Sequence, residues 1–212
     1  MKTQAQISAI IEELKKLYPD AICSLDYEKD YELLFSVRLA AQCTDARVNL
    51  VTPALFARFP TLEAFAAATP EEVGEYVRSC GFWRAKARDI VGSAQMLLHD
   101  YGGRVPDTME ALLRLPGVGR KTANLVLGDV YGKEGYVCDT HCIRITGRLG
   151  ITDGSKDPLK VEQQLRKTIP PEESNNFCHR MVLHGRALCM ARGPKCAECP
   201  LKALCDYGMS AQ

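Results

Sequence analysis

The sequence contains no long apolar run. No stretch approaches the roughly 18 to 20 consecutive apolar residues that a membrane-spanning helix needs. The first residues, MKTQAQISAIIEELKKLYPD, also lack the uninterrupted apolar core that follows the first cation of a secretory signal. We therefore expect a soluble intracellular protein without membrane contact.

An excess of one charge is missing as well. Lys and Arg number 27 against 26 Asp and Glu, which leaves a formal net charge of +1. The overall charge therefore does not indicate a nucleic-acid partner, and any polyanion site has to be a local patch. The remaining composition, with 46% hydrophobic and 25% charged residues, is that of an ordinary globular protein with a core.

Strand-like alternation and fixed-period repeats are nearly absent, whereas helical periodicity covers most of the chain. A first helix is indicated before Pro19 by five apolar residues on one face: Ile7, Ile10, Ile11, Leu14 and Leu17. The clearest breaks are the segments 131–135 and 152–158. The sequence therefore predicts an all-α protein.

Another helix start is marked by Thr69, which is placed to cap, and by Glu72, which completes a capping box. Gly81 is expected to end this helix, with Phe82 and Trp83 following in a loop. Further helices are expected over two ranges, about 84–99 and 109–115.

Four cysteines crowd into the last 24 residues as C-x6-C-x2-C-x5-C, namely Cys189, Cys196, Cys199 and Cys205. This segment has too few large apolar residues for a core, so four soft ligands this close indicate a metal. Four-cysteine zinc sites usually have two C-x2-C pairs, so the spacing favours iron-sulfur and leaves zinc open. Six other cysteines are expected to be small buried hydrophobes: Cys23, Cys43, Cys80, Cys138, Cys142 and Cys178.

The stretch LPGVGRKTANLVLGD, residues 115–129, predicts a tight turn before a helix. It is not a phosphate-binding P-loop, because Arg120 separates Gly119 from Lys121 and a helix precedes it. Gly117 and Gly119 permit a turn whose bare N–H groups meet the positive end of the next helix, which suits a phosphate oxygen. An ordinary turn between packed helices remains the alternative.

Lys121 lies in the first turn of that helix, where the helix field disfavours a cation. This field, partial burial and the neighbouring Arg120 would together favour the neutral amine, which is a nucleophile. A solvated lysine at a helix start is the alternative interpretation.

LPGVGRKTA resembles the helix-hairpin-helix of the endonuclease III family of DNA base-excision glycosylases, and the cysteine spacing matches the [4Fe-4S] motif of that family. The resemblance implies that Gly117, Val118, Gly119 and Arg120 bind DNA phosphates without reading sequence. It also implies that the four terminal cysteines hold a [4Fe-4S] cluster. We expect a structural role for the cluster, because no residue of the segment looks like a redox partner and the segment cannot bury enough apolar area. Arg186, Arg192 and Lys195 would then form a local basic patch, unless they are simply solvated.

The resemblance assigns catalysis to Lys121 and Asp139. Lys121 would displace an oxidised pyrimidine from its sugar, form an imine, and nick the abasic site by β-elimination. Asp139 in YVCDTHCIRITGRLG would stabilise the positive charge on the sugar, and it is also a good N-cap for a helix beginning at Thr140. Both roles are compatible, while His141 is expected to be structural.

Extrusion of a nucleotide leaves a gap in the DNA that side chains have to fill. By resemblance, Gln42 in AAQCTDARVN fills the vacated stack and Phe82 lies in the loop that wedges beside the orphaned base. Aliphatic residues are common at that wedge, so Phe82 is a departure, and a core position for its ring is the alternative. Asp45 is expected to support the site.

The family fold is implied for nearly the whole chain. It consists of two helical domains that flank a DNA-binding cleft: a six-helix barrel over residues 23–133, and an iron-sulfur domain formed by residues 1–22 and 134–212. The partner would be double-stranded DNA with a damaged base or an abasic site. We expect a monomer in the cytoplasm of a bacterial or archaeal cell, associated with the nucleoid through DNA.

Two alternatives compete with this interpretation. The related adenine glycosylase shares the hairpin and the cluster but lacks the lysine and generally carries a further C-terminal domain, so Lys121 and the end of the sequence at Gln212 argue against it. A non-catalytic DNA-binding module would need neither Lys121 nor Asp139.

Overall fold

The computed structural model describes residues 2–210, and over this range the chain forms helices and no β-strand. The predicted all-α class is therefore confirmed. In chain order the α-helices are α1 Gln4–Leu17, α2 Asp30–Ala40, α3 Asp45–Arg58, α4 Leu62–Ala67, α5 Pro70–Val77, α6 Trp83–Tyr101, α7 Met109–Leu112, α8 Arg120–Asp129, α9 Thr140–Leu149, α10 Pro158–Thr168, α11 Ser174–Ala187 and α12 Asp206–Ser210. Short 3-10 turns occur at Arg78–Cys80, Pro171–Glu173 and Lys202–Leu204.

Threonine side chains begin many of these helices. Each accepts a hydrogen bond from the backbone N–H three residues ahead, which satisfies a donor that has no partner inside the helix. At α5 the predicted capping box is present, because the Thr69 N–H also donates to Oε2 of Glu72 over 2.7 Å. The threonines in this role are Thr3, Thr44, Thr61, Thr69 and Thr108.

Several helix boundaries differ from the sequence prediction, and α5 ends at Val77, before the 3-10 turn that leads to Gly81. Trp83 is the first residue of α6 and not part of a loop, and a Cβ on Gly74 would come within 2.4 Å of its ring. The indole therefore packs on the backbone of α5, a contact between helices that local sequence does not show. The helix α7 ends at Leu112, short of the predicted residue 115.

The chain divides into two compact units, and the first comprises Cys23–Tyr131 with α2 to α8. Its core contains a cluster of phenylalanines in which Phe65 lies 5.0 Å from Phe35 and 5.1 Å from Phe59 between ring centroids. The helix α6 packs against both α4 and α5. Burial of each such ring contributes about 1.5–3 kcal/mol, so these contacts hold the short helices together.

The second unit comprises the chain up to Ile22 and from Gly132 onward, with α1 and α9 to α12. In it α1 packs on α11, and α11 packs on α9. Gly185 of α11 allows the close approach to α9, because a Cβ there would come within 2.3 Å of Nδ1 of His141. None of the described helices combines the length and the apolar character required to cross a bilayer.

Candidate functional site

The hairpin between α7 and α8 turns at Gly117. This residue has φ of 72°, a left-handed conformation that favours glycine, and the Val118 N–H donates to the Leu115 carbonyl over 3.1 Å. Gly119 instead is extended, with φ of −105° and ψ of 177°, at the N-cap of α8. The backbone therefore requires glycine at 117 but not at 119.

An ion pair between Arg38 and Asp89 lies against the backbone of the hairpin. Arg38 of α2 donates from Nε to Oδ2 of Asp89 on α6 over 2.8 Å, and its Nη2 lies 2.7 Å from the same oxygen. A Cβ on Gly117 would approach Arg38 Nε to 2.4 Å, so the hairpin backbone lies directly on this pair. In addition, Ser93 Oγ donates to the Pro116 carbonyl over 3.1 Å.

The start of α8 is open to solvent. Arg120 and Lys121 are both exposed, and the described residues provide no side-chain cap at Gly119. The predicted partial burial of Lys121 is wrong, because the structure places this residue among the exposed ones. The positive end of the helix still faces the side chains there.

Gln42 and Phe82 are the non-glycine residues with positive φ within residues 2–210, at 55° and 47°. Such a backbone costs on the order of 1–3 kcal/mol and persists where its surroundings hold it. Both side chains are exposed, and 72% of Phe82 is accessible, so a core position for its ring is excluded. Nearby, Ser24 Oγ donates to Oδ2 of Asp45 over 2.5 Å, which ties Asp45 to the chain before α2.

Asp139 caps α9, as predicted from its position before Thr140. Its Oδ1 accepts a hydrogen bond of 2.8 Å from the Cys142 N–H, and the residue is partly exposed. The three residues before it, Tyr136, Val137 and Cys138, are buried and anchor this end of the helix. The carboxylate is thus fixed in place while part of it remains accessible.

The four C-terminal cysteines line one cavity in the second unit, together with apolar residues of α9 and of the loop. Nitrogen atoms lie close to three of the thiols: Arg148 Nη1 donates to Cys189 Sγ over 3.3 Å, and the Gly208 N–H donates to Cys205 Sγ over 3.3 Å. Nε2 of His184 lies 3.6 Å from the sulfur of Cys199.

Four thiols that line one cavity are a donor set used both by [4Fe-4S] clusters and by four-cysteine zinc sites. Four-cysteine zinc sites usually contain two C-x2-C pairs, whereas this segment contains one, so the spacing favours the cluster. Burial raises the pKa of Cys199 and of Cys205, so a metal would have to displace their protons.

Two arginines that sequence analysis did not single out fasten the cysteine loop to α9. Arg144 Nη2 donates to the Cys189 carbonyl over 2.9 Å, and Arg148 donates from Nη1 to the Met190 carbonyl over 2.7 Å. Their spacing of four residues, which places both on one face of the helix, was the available signal. The predicted basic residues on and near this loop are all exposed: Arg186, Arg192 and Lys195.

The remaining cysteines only partly follow the prediction of buried positions. Cys80, Cys138, Cys142 and Cys178 are buried, whereas Cys23 and Cys43 are half-buried. Both half-buried cysteines lie in loops, Cys23 between α1 and α2 and Cys43 between α2 and α3.

The chain resembles known DNA repair proteins over nearly its whole length. Residues 35–171 match the HhH-GPD superfamily of base excision DNA repair proteins. Endonuclease III of Synechocystis is 49% identical over 199 residues, which cover 93% of this chain and 90% of that protein. Endonuclease III of Bacillus subtilis is 40% identical over 96% of this chain and 93% of its own length.

Among solved structures, a trapped endonuclease III–DNA covalent intermediate, an estranged-adenine complex, matches with a TM-score of 0.93. It shares 43% sequence identity, and the match covers 99% of both chains. These likenesses confirm the family that the hairpin and the cysteine spacing predicted. The chain therefore belongs to the endonuclease III family, within the HhH-GPD superfamily of base excision DNA repair proteins.

Proposed function

We propose that this chain removes oxidised pyrimidines from double-stranded DNA through a Schiff base on Lys121 and then nicks the abasic site. Its enzyme class is that of its family, DNA N-glycosylase and abasic-site lyase. The observation that carries the proposal is the exposed amine in the first turn after the hairpin. A relative 43% identical to this chain has been trapped as a covalent intermediate with DNA, which supports the same chemistry here.

Lys121 acts first as a nucleophile. Its neutral amine attacks the sugar carbon that carries the damaged base, the base leaves with its bonding electrons and takes up a proton, and the adduct opens to an imine. The imine acidifies the hydrogen on the neighbouring carbon, and loss of that proton expels the 3′ phosphate. Because Lys121 is exposed without DNA, the bound duplex has to remove the water around it.

Asp139 stabilises the positive charge that develops on the sugar or takes part in proton transfer. Its support is the bond from the Cys142 N–H, which holds the carboxylate at the positive end of α9. The same interaction caps the helix, so one side chain has a structural and a chemical role.

The hairpin binds a DNA phosphate through its backbone N–H groups, with Arg120 beside it. Gly119 suits this role because a Cβ there would meet no atom within 4 Å, which leaves the backbone open to a ligand. Gln42 and Phe82 occupy the space that the extruded nucleotide leaves. Their exposure on constrained loops supports that role.

Cys189, Cys196, Cys199 and Cys205 hold a [4Fe-4S] cluster, which supplies a covalent staple for a segment too poor in apolar residues to fold by burial. Arg144 and Arg148 fix the course of the loop, so that Arg192 and Lys195 are presented to DNA phosphates, with Arg186 near them. The enzyme acts as a monomer on the nucleoid DNA of a bacterial or archaeal cell.

Borohydride trapping on a duplex that contains thymine glycol tests this proposal. The wild-type protein should form a covalent adduct and Lys121→Ala should form none, because no imine is available for reduction. Lys29→Ala is the matched control, since Lys29 is also an exposed lysine at a helix start in the first unit. Base release without an adduct would indicate a monofunctional glycosylase, and binding alone a non-catalytic module. Normal trapping by Lys121→Ala would refute the assignment.

A further inference from the structure

A polar stripe on α6 contacts the backbone of three segments that carry the proposed DNA contacts. Its members are Lys86, Asp89 and Ser93, whose spacing of three and four residues places them on one face of the helix. Lys86 and Ser93 are buried and Asp89 is largely so. None of the three was singled out from the sequence.

Lys86 joins the loops of Gln42 and Phe82. Its Nζ donates to the Leu39 carbonyl over 2.8 Å and to the Cys80 carbonyl over 2.7 Å. Leu39 is near the end of α2, just before Gln42, and Cys80 ends the 3-10 turn just before Phe82. One ammonium group therefore bonds the backbone segments that lead to Gln42 and to Phe82.

Packing alone does not explain a lysine at this position. Lys86 is only 1% exposed, and burial lowers its pKa, so an ammonium here carries a desolvation cost. An apolar side chain of similar length would fill the same space without that cost. What the ammonium adds is directional bonding to two carbonyl groups, which fixes where the two chain segments lie.

The two loops that Lys86 joins have backbone conformations that need to be restrained. Gln42 and Phe82 have left-handed backbones, and these persist where surrounding contacts determine them. The carbonyl groups that Lys86 bonds lie three residues before Gln42 and two residues before Phe82.

The rest of the stripe supports the hairpin. Asp89 orients Arg38 directly beneath Gly117, and Ser93 donates to the Pro116 carbonyl. Gly92 leaves room for the ring of Pro116, since a Cβ there would approach that ring to 3.3 Å. The hairpin and the two constrained loops therefore rest on one face of a single helix.

We propose that Lys86, Asp89 and Ser93 form a positioning element that fixes the Gln42 and Phe82 loops relative to the phosphate-binding hairpin. Lys86 is the positioning residue for base extrusion, and Ser93 and Asp89 position the phosphate-binding hairpin. This inference rests on the proposed function, in which all three segments engage DNA.

The test separates extrusion from binding. Single-turnover excision and the fluorescence of a 2-aminopurine beside the lesion report extrusion. Fluorescence anisotropy on an undamaged duplex reports the Kd for DNA backbone binding. Lys86→Met should slow extrusion by about 10- to 100-fold, as a small misplacement does, and leave the Kd for undamaged duplex unchanged. Ser93→Ala should weaken that Kd about fivefold, the value of one lost hydrogen bond, with extrusion unchanged at saturation. Equal losses of both properties in either variant would overturn the proposal.

A second variant covers a folding defect. Glycine adopts a left-handed backbone without strain, so Phe82→Gly should at least partly restore the Tm that Lys86→Met loses. If Lys86→Met folds only when Phe82→Gly is also present, this result would also support the positioning role of Lys86. The proposal would be overturned if Lys86→Met lowered the Tm equally with Phe82 and with Gly at position 82, or if it folded in neither case. If wild-type protein gives no borohydride adduct, the proposed function fails; if it does and Lys86→Met extrudes normally, only this inference fails.

Discussion

Asp139 and Cys142 are joined by a hydrogen bond in which the Cys142 N–H donates to Oδ1 of Asp139 over 2.8 Å. This bond begins α9, and it holds a partly exposed carboxylate in the orientation that we propose for catalysis. Capping and charge stabilisation use different properties of the side chain, because an amide oxygen accepts the same bond without carrying a charge. The two roles can therefore be separated by substitution.

Asp139→Asn should keep the thermal stability and lose most of the activity. Asparagine caps as well as aspartate, whereas alanine should cost about 1 kcal/mol of unfolding free energy. Both variants should slow single-turnover excision by about 100-fold or more, because both lose the charge. Thr61→Ala is the control, since it removes the N-cap of α4 without touching the proposed chemistry. Full activity of Asp139→Asn would contradict the proposed catalytic role and would leave helix capping as the role of Asp139.

The two hairpin glycines should respond differently to alanine. Gly117→Ala should lower the unfolding free energy by about 1–3 kcal/mol, because φ is 72° and the Cβ would meet Arg38. Gly119→Ala should leave stability within about 0.5 kcal/mol, since φ is −105° and the space is open. It should nevertheless weaken duplex binding, because the methyl group would occupy the proposed phosphate position. Denaturant unfolding and anisotropy would measure both, and unaltered DNA affinity in Gly119→Ala would argue against a phosphate there.

Arg148 should control how firmly the cysteine loop retains the proposed cluster. Arg148→Met removes the bonds to the Met190 and Ala191 carbonyls and the contact with Cys189 Sγ. Bonds from a charged donor contribute about 1.5–3 kcal/mol each, so iron release to a chelator should become about tenfold faster or more. Loss of the visible absorbance measures the rate. Lys167→Met, an exposed cation at the end of α10, should release iron at the wild-type rate, and the same rate in Arg148→Met would contradict this role.

The exposed cations of the cysteine loop should appear in the salt dependence of DNA binding. Arg192→Ala and Lys195→Ala should each reduce the slope of log K against log salt by about 0.9, the value of one phosphate contact. Lys167→Ala serves as the control, because it removes an exposed charge from another part of the same unit. Slopes equal to that of the wild type would mean that the two side chains are solvated and do not contact DNA.

Local features were predictable because their physics is local. A threonine three residues before a glutamate caps a helix wherever it occurs, and Asp139 before Thr140 caps for the same reason. The hairpin and the cysteine spacing were likewise visible as short motifs, and they indicated the family. The exposure of Phe82 was not predictable, because an aromatic ring after a helix is compatible with either environment until its neighbours are placed.

The sequence by itself therefore determined the helical class, the capped starts of α5 and α9, the family and the residues proposed for chemistry, since each depends on residue type and short spacing. Only the tertiary structure decided which side chains support them. Arg38 and Asp89 are 51 positions apart, and Lys86 is 47 positions from Leu39. Contacts over such separations form when the helices pack, and the energy of that packing is shared among many side chains, so no short pattern records it.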